Sequence, residues 1–211
     1  MATPNKTVAL ILVLVAALGV GVWLINRQPA PPAAPQYALR LPETLDLPDF
    51  QLLDQDGHPL DNDWFNGRWT MVFFGFTHCP DICPVTLSML SAARVRLSKQ
   101  RPDQQLPDIL LISVDPDRDS PASLKQYVAH FGEGVSGATG SLQELRKLAT
   151  TLGVYFEREG GEGNEPDMDY NVAHSAHVII IDDHGNYSAV FGPPHSIDAF
   201  VTDMPLLMTP R

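Results

Sequence analysis

The opening of the chain has no polar face at all. Val8 to Ile25 carries no charged residue, and as a helix this stretch reaches roughly 27 Å, close to the thickness of a bilayer core. The pattern predicts a transmembrane helix over 8–25, with 1–7 left on one side of the membrane. Gln28 to Pro35 then turns rich in proline and alanine, which reads as an extended, semi-rigid tether. The tether is taken as 26–40 and the remaining 41–211 as one folded domain.

Within 41–211 the periodicity alternates between strand-like and helix-like. Phe50-Gln51-Leu52-Leu53 opens the domain and a turn at Asp56-Gly57 follows. Trp69 to Phe76 is nearly continuously apolar, as a central strand requires. Leu87, Leu90, Ala93 and Leu97 recur at helical spacing and predict a helix from Pro84 to Leu97. A second apolar strand, Ile109 to Val114, runs into Asp115-Pro116-Asp117, and a helix is expected from about Pro121 to Phe131. Ser141 and Glu144 form a capping-box pattern for a helix ending near Gly153, with a short strand from Val154 to Glu157. Glu159 to Asp169 is glycine-rich and acidic, the composition of a mobile loop. Ala176 to Ile181 and Tyr187 to Phe191 flank Asp182 to Asn186 as a hairpin, and Ser196 caps a last helix that loses regularity at Pro205. The order strand, helix, strand, helix, hairpin, helix predicts an α/β domain on a thioredoxin-like plan, with ligands expected beyond the strand ends.

Charge gives the first segment an orientation. Lys6 and the terminal amine precede it, whereas Arg27 alone follows, so the basic bias places the N-terminus in the cytoplasm and the domain outside. No arginine-rich amphipathic stretch precedes the apolar run, which argues for a bacterial inner membrane and a periplasmic domain over a mitochondrial address. A cleaved signal peptide is the competing reading, since Ala30, Ala33 and Ala34 are small. The apolar stretch is longer than a usual signal core. All 25 acidic residues follow Arg27 in a chain of net charge −11. Such a surface repels phosphate backbones, so nucleic acid is not expected as a partner.

Chemistry concentrates in Phe76-Thr77-His78-Cys79-Pro80-Asp81-Ile82-Cys83-Pro84, which holds the only two cysteines of the chain. A disulfide between them closes a loop of five residues, worth about 2 kcal/mol in the chain-entropy model, and a domain of this length does not need that staple. The pair therefore reads as a redox or metal device. Pro84 suits the first turn of a helix, so Cys83 is expected near a helix N-terminus, where the dipole favours thiolate. Replacing either cysteine is expected to remove a ligand and not to disturb the core.

The chain resembles the Sco (SenC, PrrC) family of membrane-anchored copper proteins. The resemblance rests on the anchor and three blocks in order: Phe73-Phe74-Gly75-Phe76-Thr77-His78-Cys79-Pro80-Asp81-Ile82-Cys83-Pro84, Ile112-Ser113-Val114-Asp115-Pro116-Asp117-Arg118-Asp119, and Tyr170-Asn171-Val172-Ala173-His174-Ser175. It implies copper, as Cu(I) or Cu(II), at Cys79, Cys83 and His174. It also implies a role in assembling the binuclear copper centre of cytochrome c oxidase. The implied partners are the copper-centre subunit of the oxidase and another periplasmic copper chaperone or a thiol-disulfide reductase.

Donor chemistry is compatible with that implication. Cu(I) is soft and accepts two thiolates and one imidazole, whereas Mg²⁺ or Ca²⁺ would want carboxylates. Cu(II) would want a fourth ligand, for which Asp167, Met168 and Asp169 are candidates. Zinc remains a competitor, since two sulfurs, one nitrogen and a water also make a tetrahedral site. His78 and His177 read as bystanders: one is expected to point away from Cys79, and the other lies at a spacing from His174 that changes face in a strand. The family pattern commonly has aspartate before the histidine, where this chain has Ala173. A carboxylate that would orient the imidazole is therefore missing. Asp115 and Asp119 could supply that field, or could cap the following helix. The functional reading is an assembly factor that carries copper, not a turnover enzyme. Its rivals are a thiol-disulfide reductase acting through Cys79 and Cys83, and a redox or copper sensor. No peroxide-site pattern accompanies the cysteines.

Overall fold

A computed structural model describes residues 5–26, 33–159 and 170–209, and the chain divides into two units, 1–34 and 35–211. The first holds one helix, α1 (Lys6–Asn26). Its window Lys6–Trp23 has a mean hydropathy of 2.2 and none of it is buried. A helix apolar on every side has no preferred face to pack on a soluble core, and this one is long and apolar enough to cross a membrane.

The second unit is built on an eight-stranded sheet. At its centre β4, defined below, has every residue buried, which is why its sequence shows no alternation. The strands are β1 (Ala38–Asp46), β2 (Leu52–Asp54), β3 (Pro59–Leu60), β4 (Thr70–Gly75), β5 (Asp108–Ser113) and β6 (Val135–Thr139). After a separate two-stranded ribbon of β7 (Phe156–Glu159) and β8 (Asn171–His174), the main sheet is completed by β9 (Val178–Ile181) and β10 (Asn186–Phe191). The order across it is β1-β10-β9-β4-β5-β6-β2-β3. Strand β4 runs parallel to β5, with Gly75 opposite Ser113, and antiparallel to β9, with Val72 opposite Ile179. Four helices accompany the sheet: α2 (Ile82–Gln100), α3 (Pro121–Val128), α4 (Leu142–Thr151) and α5 (Ile197–Leu207). Helix α2 buries Leu87, Leu90, Ala93 and Leu97, the four residues whose spacing predicts it, and packs against α5. Phe73 and Phe74 of β4 are fully buried on either side of the sheet plane, each worth about 1.5–3 kcal/mol.

Differences from the periodicity reading have local causes. Strand β6 is not legible because its sequence, Val-Ser-Gly-Ala-Thr, offers a single branched apolar residue, Val135, and no alternation. A Cβ on Gly137 would lie 3.2 Å from both Leu124 and Val128 of α3, so the strand is small where a helix presses on it. Strand β1 is an edge strand with a register shift and with Pro42 inside it, an arrangement that edges tolerate. The helix read as Pro84–Leu97 begins earlier, at Ile82. The strand read as Val154–Glu157 is Phe156–Glu159. The helix expected to reach Phe131 ends at Val128 and continues as a 3₁₀ turn, Ala129–Phe131. Most of the loop read from Glu159 to Asp169 lies outside the described residues.

The start of the folded unit is fixed by one carboxylate. Asp203 of α5 is fully buried and accepts the backbone N–H groups of Gln36 (2.9 Å), Tyr37 (2.6 Å) and Ala38 (2.7 Å). The chain is thus ordered from within the stretch whose composition reads as tether. Hydrogen bonds to an ionised group contribute about 1.5–3 kcal/mol each before desolvation. Asp203→Asn keeps the shape but turns a donor toward a donor. It is expected to lower the stability of residues 35–211 by roughly 2–3 kcal/mol in urea unfolding, with the circular dichroism of the native state unchanged. An unchanged midpoint would remove Asp203 from this role.

Candidate metal centre

Strand β4 delivers the chain to the site. Its last residue, Gly75, has its carbonyl held by the Val114 N–H at 2.9 Å, and a tight turn follows in which the Cys79 N–H donates to the Phe76 carbonyl at 3.3 Å. Helix α2 then begins at Ile82. Asp81 occupies the cap position and makes no side-chain cap bond. The acceptor at this end is sulfur instead: the Cys83 N–H points at Cys79 Sγ, 3.4 Å away. Pro84, in the first turn, wastes no donor there.

The two sulfurs sit in different environments. Cys79 is partly exposed, whereas Cys83 is fully buried within the hydrophobic core. A Cβ at residue 75 would lie 2.9 Å from Cys83 Sγ, 3.0 Å from the Phe73 ring and 3.2 Å from Leu111. Only glycine lets the sulfur settle over the end of β4. This corrects two sequence expectations. Cys83 is core as well as candidate ligand, so its replacement touches packing. Nor does the helix dipole decide its protonation: burial, reinforced by Cys79 as hydrogen-bond partner, pushes the Cys83 thiol well above its ordinary range. A dipole at a helix end supplies about 0.3–1 kcal/mol, while full burial moves pKa values by up to several units of about 1.4 kcal/mol each.

His174 reaches the sulfurs from β8. Its partner across the ribbon is Phe156, and its Nε2 stands 3.4 Å from Cys83 Sγ. The ring lies edge-on between Phe73 and Phe76, with centroids 5.8 Å from each. Its Nδ1 is 3.3 Å from the Ser175 carbonyl. A donor at Nδ1 leaves the Nε2 lone pair directed at the sulfurs. Burial lowers the His174 pKa, opposed in part by that carbonyl, so the ring is neutral at neutral pH. Ser175 is itself bonded to Tyr155, through Ser175 N–H to the Tyr155 carbonyl at 2.8 Å and Tyr155 N–H to Ser175 Oγ at 3.0 Å. A backbone carbonyl thus does the orienting that a carboxylate at position 173 would do. Cys79 Sγ, Cys83 Sγ and one His174 nitrogen all lie within 4.8 Å of one another, close enough to hold a single metal ion.

The other candidates fall outside this cluster. His78 turns from the sulfurs toward Thr77 Oγ1 (3.0 Å) and Asp119 (3.8 Å). His177 is not part of the ligand group. Asp167, Met168 and Asp169 lie outside the described residues. Neither Asp115 nor Asp119 caps the following helix, since Ser120 caps α3 through the Ser123 N–H at 3.2 Å. Asp119 is fully buried and accepts from the Thr77 N–H (3.0 Å), Thr77 Oγ1 (2.5 Å) and Ser113 Oγ (2.6 Å), and its charge adds to the upward push on Cys83. Asp115 accepts from the Arg118 guanidinium and, at 2.5 Å, from the Tyr170 hydroxyl. In the sequence, Gly75, Ser113, Arg118 and Tyr170 stand out only as members of the three motif blocks. Their roles depend on contacts between segments far apart in sequence, which no periodicity reveals.

Comparison with known proteins agrees with the motifs. A family model described as SCO1/SenC matches residues 42–209. An SCO2-like protein of Rickettsia conorii is 33% identical over 190 residues, covering 89% of this chain and 90% of the relative. The copper-bound crystal structure of ScoI from Arabidopsis thaliana is 31% identical with a TM-score of 0.69, covering 77% of this chain and 97% of that one. The solution structure of apo Sco1 from Thermus thermophilus is 30% identical with a TM-score of 0.70, covering 85% and 99% respectively. The thioredoxin-like α/β fold expected from the element order is the fold of these structures.

The asymmetry of the sulfurs is directly measurable, because the thiolate is the species that alkylates and access limits its rate. Brief treatment of the reduced, metal-free protein with iodoacetamide at pH 8 is expected to label Cys79 at least about tenfold faster than Cys83, read by peptide mass spectrometry. Equal labelling would contradict the burial of Cys83. Gly75→Ala should narrow the difference by displacing the Cys83 sulfur.

Proposed function

This chain belongs to the SCO1/SenC family, and from that premise we propose that its domain binds copper at Cys79, Cys83 and His174 and matures the binuclear copper centre of cytochrome c oxidase. The observation that carries the reading is the convergence of two sulfurs and a neutral imidazole from separate segments onto one point. Two thiolates and one imidazole suit Cu(I), while a fourth donor is needed for Cu(II). The residues divide the work. Cys83 is shielded and holds position, whereas Cys79 is partly exposed and is the sulfur an incoming donor atom can replace. Helix α1 is proposed to cross the inner membrane once, with residues 1–7 in the cytoplasm and the domain in the periplasm. The basic bias at its N-terminal end supports this orientation. The tether would then hold the domain near a membrane-bound oxidase at high effective concentration.

A second reading rests on the same asymmetry. The Cys79 thiolate attacks a disulfide in the oxidase copper site and forms a mixed disulfide, releasing one partner thiolate. The Cys83 thiol then attacks Cys79 Sγ as its proton passes to the departing partner thiolate, which frees the second partner sulfur as a thiol and leaves Cys79–Cys83 oxidised, to be reduced again by an external dithiol. His174 separates the two readings, because thiol exchange does not need it.

The deciding measurement is metal content after anaerobic loading with copper and zinc in competition, and the reading expects one Cu(I) per domain. Cys79→Ser and Cys83→Ala should each lose tight Cu(I) binding. His174→Ala should lose Cu(II) most severely, should still form the disulfide, and should fail to restore oxidase activity in a strain lacking the protein. Full restoration at limiting copper would transfer the assignment to the reductase reading.

The pH dependence has a definite sign. Burial raises the Cys83 pKa, so the thiol stays protonated throughout pH 7–9; Cu(I) uptake releases its proton, and affinity is expected to fall about tenfold per pH unit of acidification for each thiol proton displaced. His174, whose pKa is lowered, is already neutral and adds no further proton between pH 7 and 9. A flat Cu(I) affinity across that range would contradict a protonated, buried Cys83.

A further inference from the structure

The turn that follows β5 grips both halves of the site. On the cysteine side, the Asp119 carboxylate accepts from the backbone and hydroxyl of Thr77, two residues before Cys79, while Ser113 holds the same carboxylate from the end of β5. On the histidine side, Asp115 accepts from the Tyr170 hydroxyl at 2.5 Å, and Arg118 Nη1 donates to the Tyr170 carbonyl at 3.0 Å, four residues before His174. The turn is internally braced: the N–H groups of Arg118 and Asp119 both donate to the Asp115 carbonyl, at 3.2 and 2.9 Å. The Val114 N–H ties the turn to Gly75. The Arg118–Asp115 ion pair is almost wholly buried. The Arg118 guanidinium lies 3.7 Å from the Tyr170 ring centroid and 5.6 Å from that of Phe76, the ring that also meets His174.

We propose that residues 113–119 form a positioning clamp, in which Asp119 fixes the cysteine loop and the Asp115–Arg118 pair fixes β8 through Tyr170, so that one rigid turn sets the separation between the sulfurs and the imidazole. The need for such a device follows from topology. The cysteines hang from the central strand of the main sheet, whereas His174 belongs to a ribbon of only two strands. A two-stranded ribbon is marginal alone. Residues 175–177 lead it into β9, and side chains hold the rest of it against the sheet. Arg118 can serve both partners because its planar fork offers Nε to a carboxylate and Nη1 to a carbonyl at once, which the single ammonium of lysine cannot reproduce. Asp115, Arg118, Asp119 and Tyr170 are therefore positioning residues, acting through Cys79 and His174 and not on the ligand itself.

The metal half of the test rests on the copper reading above, and the metal-free half does not. Tyr170→Phe keeps the ring against the guanidinium and deletes only its hydroxyl. Arg118→Lys keeps the charge and loses the fork. Lys125→Ala, which removes an exposed ion pair with Asp56 at 2.6 Å, is the control. In the reduced apo-protein, both clamp variants are expected to weaken the nuclear Overhauser contacts between the His174 and Phe76 rings. They should also raise amide exchange in β8 by tenfold or more, with β4 unchanged. With metal, Cu(II) affinity should fall about 10–100-fold and its visible spectrum should shift, while Cu(I) affinity, dominated by the sulfurs, falls less than the Cu(II) value. Lys125→Ala should match wild type throughout. Wild-type ring contacts and exchange in Tyr170→Phe and Arg118→Lys would overturn the clamp even if copper binds. Absence of copper binding by the wild-type protein would instead overturn the copper reading and leave the apo result to decide the clamp.

Discussion

The site depends on the close approach of Cys83 Sγ to a backbone that has no side chain. Gly75 ends the fully buried β4 under the first turn of α2, and the space a methyl group would fill is occupied by sulfur. Because that sulfur is packed as core, the helix start, the turn and the strand end share one rigid contact. Cys79 is then held relative to Cys83 through the Cys83 N–H. The pair is pre-arranged before any metal or partner disulfide arrives, which lowers the ordering cost of binding either one.

Burial of Cys83 sets the chemistry as well as the shape. A buried thiol resists ionisation, so this site is not a pair of ready thiolates at a helix end. It is one accessible sulfur backed by one that yields its proton only to something that replaces it. A soft cation does so, and so does a disulfide whose cleavage has placed an oxidised sulfur alongside. Both readings therefore use Cys79 as the point of entry and Cys83 as the closing group, and they diverge only in whether the imidazole is needed.

Much of this was legible in the sequence. The continuous apolar runs found β4, β5 and β9, the helical spacing found α2, and the serine caps found α4 and α5. The three motif blocks named Cys79, Cys83 and His174 together. What escaped were features whose cause lies across the fold. Strand β6 is small because α3 presses on Gly137. Asp203 looks like any polar residue of a terminal helix until it is seen collecting three backbone donors from residues 36–38. The protonation of Cys83 differs from the sequence expectation for the same reason: its position at a helix N-terminus is written in the sequence, but its depth is not.

The departure at Ala173 is clarified by how His174 is held. An aspartate beside the ligand would orient the ring and add negative charge, which favours the higher oxidation state of a bound metal. Here the Ser175 carbonyl orients the ring without charge, and the nearby carboxyl group is that of Asp119, on the cysteine side. Its oxygens are already engaged by Thr77 and Ser113, and its field acts on Cys83. The negative potential is thus shifted from the imidazole toward the sulfurs. There it makes deprotonation harder in the empty site and stabilises a cation once one is bound.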